Sequence, residues 1–164
     1  GRPGGLARQG PLQRGSIDGE YVEISDLKKK WTGWSFDEVR FEIDAGQLVE
    51  FALTCGETVP RLTDPEDADF QAAPSYPARF HGQKQLPDGF PVTMENSFDG
   101  GKTVERKAPI RPGDVLVARS HIHDIFEKTG RSGGMMFVVH RMEFTNQDDV
   151  LVSIVDWKMI QKLG

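Results

Sequence analysis

Residues 115–160 set the tightest constraint on what this chain can fold into. They hold three long runs rich in apolar residues: Val115 to Phe126, Met135 to Thr145 and Val150 to Ile160. Such runs, bounded by turn-forming residues, read as strands. The connection Asn146-Gln147-Asp148-Asp149 is far too short for a parallel crossover, which needs about a dozen residues or more. The prediction is therefore an antiparallel meander. Pro112-Gly113-Asp114 supplies the turn that leads into it.

Further strands precede the meander. Val92 to Phe98 and Thr103 to Ala108 flank Asp99-Gly100-Gly101, and this glycine pair signals a hairpin. Phe36 to Ile43 alternates in the manner of a half-buried strand. The period then changes. Between Asp44 and Cys55, Leu48, Phe51, Ala52 and Cys55 fall on one helical face. Asp44 with Gln47 predicts a capping box, and Gly56 a helix stop. Ser25 to Trp34 predicts a short helix capped by Ser25, and Thr63-Asp64-Pro65 the start of a helical turn. Ala72 to Gly89, punctuated by prolines, predicts irregular chain with one helical stretch at Ala78 to His81. The order amounts to an α+β domain, a sheet with a helix packed on one face.

The chain has 164 residues, 37% hydrophobic and 27% charged, which suits one soluble domain with a real core. A formal charge of -5 argues against a nucleic-acid partner, though a local basic patch can still hold an anionic ligand. Cys55 is the single cysteine, so no internal disulfide can form and a reducing, cytoplasmic setting is expected. No run of about 18 apolar residues exists to span a membrane. Residues 1–16, rich in Gly, Arg and Gln, read as a flexible leader or expression remnant, with the fold in residues 17–164.

Three stretches carry a resemblance. Phe51-Ala52-Leu53-Thr54-Cys55-Gly56-Glu57-Thr58-Val59-Pro60, followed by Thr63-Asp64-Pro65-Glu66-Asp67-Ala68, resembles the helix and turn that open the overhanging segment of MaoC-like hydratases. Ala73-Pro74-Ser75-Tyr76 resembles their Ala-Pro-Pro-Thr-Phe turn. Arg111-Pro112-Gly113-Asp114-Val115-Leu116, Asp124-Ile125-Phe126-Glu127-Lys128 and Gly133-Gly134-Met135-Met136-Phe137 resemble their Pro-x-x-x-Gly-Asp-x-Leu strand, Tyr-Glu-Lys segment and glycine-led strand. The match runs in order from about Trp31 to the C-terminus. The chain thus resembles the N-terminal-type, FAS1-like dehydratase domain of the MaoC-like family. The resemblance implies a single hot-dog fold, a curved antiparallel sheet wrapped around a helix. It implies acyl thioesters of coenzyme A or acyl-carrier protein as substrates, and reversible hydration of an α,β double bond. It implies pairing as a homodimer, or as a heterodimer with a second hot-dog subunit. It calls for no cofactor.

Active family members carry Asp-x-Asn-Pro-x-His, because water must lose a proton as it attacks Cβ while Cα gains one. The matching stretch here is Glu57-Thr58-Val59-Pro60-Arg61-Leu62. Glu57 stands at the Asp position, but Leu62 stands where the family has His, and leucine transfers no proton. Glu57 is the one aligned residue able to act as a base. Three functions follow: a hydratase or dehydratase, a non-catalytic substrate-binding subunit of a catalytic hot-dog partner, and an acyl-CoA thioesterase. The thioesterase would need a poised carboxylate, Ser or Thr on the central helix, and no residue stands out for that role.

Expected substrate contacts are Tyr76 and Phe80 in the acyl pocket and His81 beside them. Lys128, Arg131, Gly133 and Gly134 lie in a stretch whose cations and glycines suit carrier phosphates, or simply make a turn. His121 and His123 share one strand face, as a metal pair would, yet Arg119 shares it too and an outer solvated face is the simpler reading. No metal is expected. Trp31, Trp34 and Trp157 read as packing residues, and Lys28-Lys29-Lys30 as a solvated face. Cys55, at a helix C-terminus, lacks the setting of a nucleophile. A short pocket for a branched dicarboxylic acyl group and a long tunnel for a fatty chain both remain open.

Overall fold

The computed structural model describes residues 14–17, 20–92, 97–131 and 133–164. Strands β1 (Arg14–Ile17) and β2 (Glu20–Glu23) pair in a small antiparallel sheet. Helix α1 (Ile24–Trp31) follows. Its cap residue is Glu23 and not Ser25, whose hydroxyl donates to the Glu23 carboxylate at 3.1 Å from inside the first turn.

Strands β3 (Ser35–Glu42), β4 (Ser97–Arg106), β5 (Val115–Gly130), β6 (Gly133–Thr145) and β7 (Leu151–Lys162) form one five-stranded sheet in the order β3-β5-β6-β7-β4. All its pairings are antiparallel, and β5, β6 and β7 are the predicted meander. Helix α2 (Ala45–Thr54) begins as the capping residues require: the Gln47 backbone N–H donates to Asp44 Oδ2 at 3.1 Å. It ends in a Schellman motif. Gly56, at φ +77°, donates to the Leu53 carbonyl while the Glu57 N–H donates to that of Ala52.

Four local expectations need correction. The helical turn after α2 is α3 (Pro60–Thr63), with Pro60 near its start, while Pro65 lies in the turns beyond it. The helical stretch in the irregular segment is a 3₁₀ turn at Tyr76–Arg79, two residues earlier than expected. Asp99-Gly100-Gly101 makes no hairpin. It is a bulge inside β4, where Asp99 pairs with Met159 but Lys102 with Trp157, so β4 carries one extra residue. The positive φ of Gly101, +91°, serves that bulge, and the Trp157 indole N–H donates to Asp99 at 2.8 Å across it. Residues 93–96 of the expected first strand lie outside the described residues. Finally, Trp34 is 70% exposed and packs little, whereas Trp31 sits edge-on to Phe90 at 5.4 Å.

The inner face of the sheet carries two apolar clusters. One joins Leu48 of α2 to Leu116, Ala118, Met142, Phe144 and Val155 of the sheet. The other joins Ile24 of α1, Phe90 and Val92 to Ile122, Val138 and Met159. The outer face is charged, with Arg141 forking onto Asp156 at 2.8 and 2.9 Å. No helix among the described residues is long and apolar enough to cross a membrane.

Candidate functional site

The turn that matches the family's catalytic motif is built as a continuation of α2. The Schellman motif swings the chain at Gly56 and delivers Glu57 half-buried. Its carboxylate makes no hydrogen bond or ion pair with another described residue. Pro60 then starts α3 and turns Leu62 inward, where it is 5% exposed. Leu62 packs with Ala52, Ala73 and Phe51 in a small apolar cluster. The position that the resemblance aligns with the family's His is thus a core position. Beside it lies a groove lined by Arg61, Leu62, Asp69, Gln71, Ala72, Pro74 and Arg106, with Arg106 donating to Gln71 at 2.9 Å.

The segment after this turn crosses the inner face of the sheet. Tyr76 is fully buried, so it serves the core between α2 and the sheet. Its hydroxyl lies 3.4 Å from the Gln47 side-chain oxygen and accepts from Arg79 at 3.3 Å, and burial pushes its pKa up. Phe80 stacks on Phe41 with ring centroids 4.2 Å apart and meets the Tyr76 ring edge-on at 5.3 Å. Phe80 and His81 then form one wall of a narrow cleft with room for about one water, and Gly82, Lys84 and Gln85 continue it. The Lys84 backbone N–H pins this strap to the sheet through Asp37 at 3.0 Å.

The floor of the cleft comes from strand register. Lys102, Trp157, His140 and Ile122 stand directly opposite one another across β4, β7, β6 and β5. Residues so paired share one face. The next row is Val104, Val155, Met142, Ser120 and Asp37. Lys102, Trp157, His140, Val155 and Met142 of these rows line the cleft. It therefore lies where the two apolar clusters meet.

His140 is 2% exposed, and among the described residues neither ring nitrogen has a hydrogen-bond partner; the same holds for the Ser120 hydroxyl, which is 1% exposed. Burial lowers the His140 pKa to about 4, against smaller opposing effects of the Gln85 backbone and Asp37. The Gln85 backbone is thus close to the ring but outside hydrogen-bond geometry. The imidazole is neutral at pH 7. Phe36 and Trp157 pack against it, with centroids 5.1 and 6.2 Å away. Lys102 donates to the Ala78 carbonyl at 3.0 Å and sits 5.3 Å from the Trp157 ring; burial lowers its pKa.

Of the expected substrate residues, the structure brings Tyr76, Phe80 and His81 together along the strap. It does not bring Lys128, Arg131, Gly133 and Gly134 to them. Those lie at the tip of the β5–β6 hairpin, where Gly130 pairs with Gly133 and Lys128 covers the Phe126 and Phe137 rings at 5.6 and 5.4 Å. His121 and His123 have centroids 5.6 Å apart, with His123 at a bulge. Among the described residues no three His, Cys, Asp or Glu side chains are grouped to hold a metal. The residues that sequence reading missed are His140, Lys102 and Met142. Their signal is the strand register, which brings Lys102 of β4 to Trp157 of β7 and so beside His140 of β6.

The geometry defines a hot-dog domain with an overhanging strap, and comparison with known proteins places it. The model of the FAS1-like dehydratase domain region matches residues 30–155, well over half of the chain, so the chain belongs to that family. The MaoC-like dehydratase from Rhodospirillum rubrum is similar in structure, with TM-score 0.56 and 19% identity over 81% of this chain and 93% of that one. The C-terminally truncated HadBC (3R-hydroxyacyl-ACP dehydratase) complex from Mycobacterium tuberculosis gives TM-score 0.58 and 24% identity, over 77% and 93% of the two chains. The ChsH1–ChsH2 complex from Mycobacterium tuberculosis gives 0.58 and 11%, over 86% and 90%. At these identities the structures show the fold alone. No curated protein matches the chain.

Proposed function

We propose that this chain is the acyl-thioester-binding hot-dog domain of a MaoC-like hydratase or dehydratase, and that a second hot-dog domain supplies the proton-transfer pair. The observation that carries this is Leu62. Hydration adds a water oxygen to Cβ and a proton to Cα, so one group must take a proton and one must give it. Glu57 can take one. At the second position a buried leucine packs in an apolar cluster. Two of the structurally similar proteins, HadBC and ChsH1–ChsH2, are complexes of two polypeptides, which supports a paired arrangement. The lining under the strap, with Phe80 on one wall and Met142, Val155 and Trp157 on the floor, is apolar as an acyl group requires, and the strap would have to move outward to admit one.

Titration of the purified chain with crotonyl-CoA, followed by calorimetry, tests this reading. Saturable binding that weakens about tenfold in Phe80→Ala, while free coenzyme A is unaffected, is the expected result. Crotonyl-CoA binding no tighter than free coenzyme A contradicts an acyl site.

A further inference from the structure

The geometry points to a docking surface on the outer face of the sheet, fitted to an amphipathic helix of another polypeptide whose apolar stripe is flanked by acidic residues. At the end of that face nearest the β5–β6 hairpin tip, charge gives way to an apolar row. Phe98 of β4, Ile160 of β7, Phe137 of β6 and Phe126 of β5 stand directly opposite one another. Residues so paired share one face. Phe98 is 64% exposed, and the other three are half-buried. Met135, in the next outer row, extends the patch. A continuous apolar row left open to water is the mark of an interaction surface. It lies on the side of the sheet opposite the strap, so it stands apart from the thioester reading.

The charges beside this row select the partner. The outer row nearer the tip holds Lys128, Met135 and Lys162, and the row on the other side holds Asp124, Val139 and Lys158. All three lysines are exposed, and none has an ion-pair partner among the described residues, whereas Asp124 is paired with Lys28 at 3.0 Å. This basic rim stands on a chain of net charge -5, so overall composition does not account for it. The row crosses four strands, about 14 Å at ordinary strand spacing, and a helix of about ten residues is about as long. The lysine rows lie about 7 Å to either side, within reach of side chains on both flanks of a helix about 10 Å across. A lipid surface fits less well. Only Phe98 projects freely, while Phe126 and Phe137 stack on each other at 5.0 Å with Lys128 over both rings, which leaves little apolar area to insert. A second copy of this face would set lysines against lysines. An acidic helix instead meets apolar row and basic rim together.

The probe is a fluorescein-labelled helical peptide of about four turns, with Leu at i, i+3, i+4 and i+7 spacing and Glu on both flanks, beside a twin carrying Lys in place of Glu. Anisotropy reads binding to the wild-type chain, to Phe98→Ser and to the double variant Lys158→Glu/Lys162→Glu. These side chains are exposed, so each variant is expected to melt cooperatively. The expected result is saturable binding of the Glu peptide, at least tenfold tighter than its Lys twin and at least tenfold weaker in Phe98→Ser, with the preference reversed in the double variant. Failure to bind the Glu peptide, or a preference that the double variant leaves unchanged, overturns the docking surface. Binding to phosphatidylcholine–phosphatidylserine vesicles that Phe98→Ser abolishes, without peptide binding, overturns it in favour of a membrane. A dimer in sedimentation that Phe98→Ser dissociates, without peptide binding, overturns it in favour of a second copy.

Discussion

Leu62 and His140 occupy comparable depths in the protein and have opposite consequences. Leu62 is an ordinary core residue, and Leu62→Ala is expected to cost about 2–4 kcal/mol, read as a shift in the urea midpoint at constant slope. His140 makes stability depend on pH. Its folded pKa is about 4 against an ordinary 6.5, so between these values the unfolded chain holds a proton that the folded chain does not. Its effect is absent above about pH 6.5 and grows as pH falls, reaching about 3 kcal/mol of lost stability near pH 4. In denaturant melts across pH 4–7, wild type should lose about 3 kcal/mol more stability than His140→Gln; parallel stability curves would mean that His140 is not held neutral. The departure at Leu62 was legible because the motif around it is contiguous. His140 was not, because a single histidine in an alternating strand looks like any other until its neighbours on β5 and β7 are known.

At the scale of elements, α2 shows how far local chemistry reaches. Asp44 and Gly56 marked both of its ends correctly, since caps are decided within a few residues of the terminus. Asp44→Ala is expected to cost about 1 kcal/mol and Gly56→Ala about 1–2 kcal/mol, the second because alanine resists the positive φ that the Schellman turn requires. Thermal melts of the two variants check this, and an unchanged midpoint in Gly56→Ala would contradict the turn geometry. The glycine pair in β4 misled for a related reason. Gly100 and Gly101 suit a two-residue hairpin and a bulge equally well, and only pairing with β7 distinguishes them. Pro65 likewise looked like a helix start, but Pro60 already occupied that role five residues earlier.

Across the whole molecule, fold and family were both readable, because a meander of three long strands and several motifs in order exclude most alternatives. Of the candidate cleft, Phe80 and His81 were readable from the sequence and the floor was not, because the floor is assembled from rows that run across the strands. The proposed function follows from the same architecture: α2 and the strap would shape the acyl site, while the turn between them buries Leu62 in an apolar cluster. The most direct test is to assay the purified chain alone for crotonyl-CoA hydration, following loss of the enoyl absorbance, with Glu57→Gln alongside. The account predicts no turnover above the uncatalysed rate for either protein under conditions where crotonyl-CoA is bound. Clear turnover by the wild-type chain that disappears in Glu57→Gln would contradict it and make this domain a hydratase in its own right.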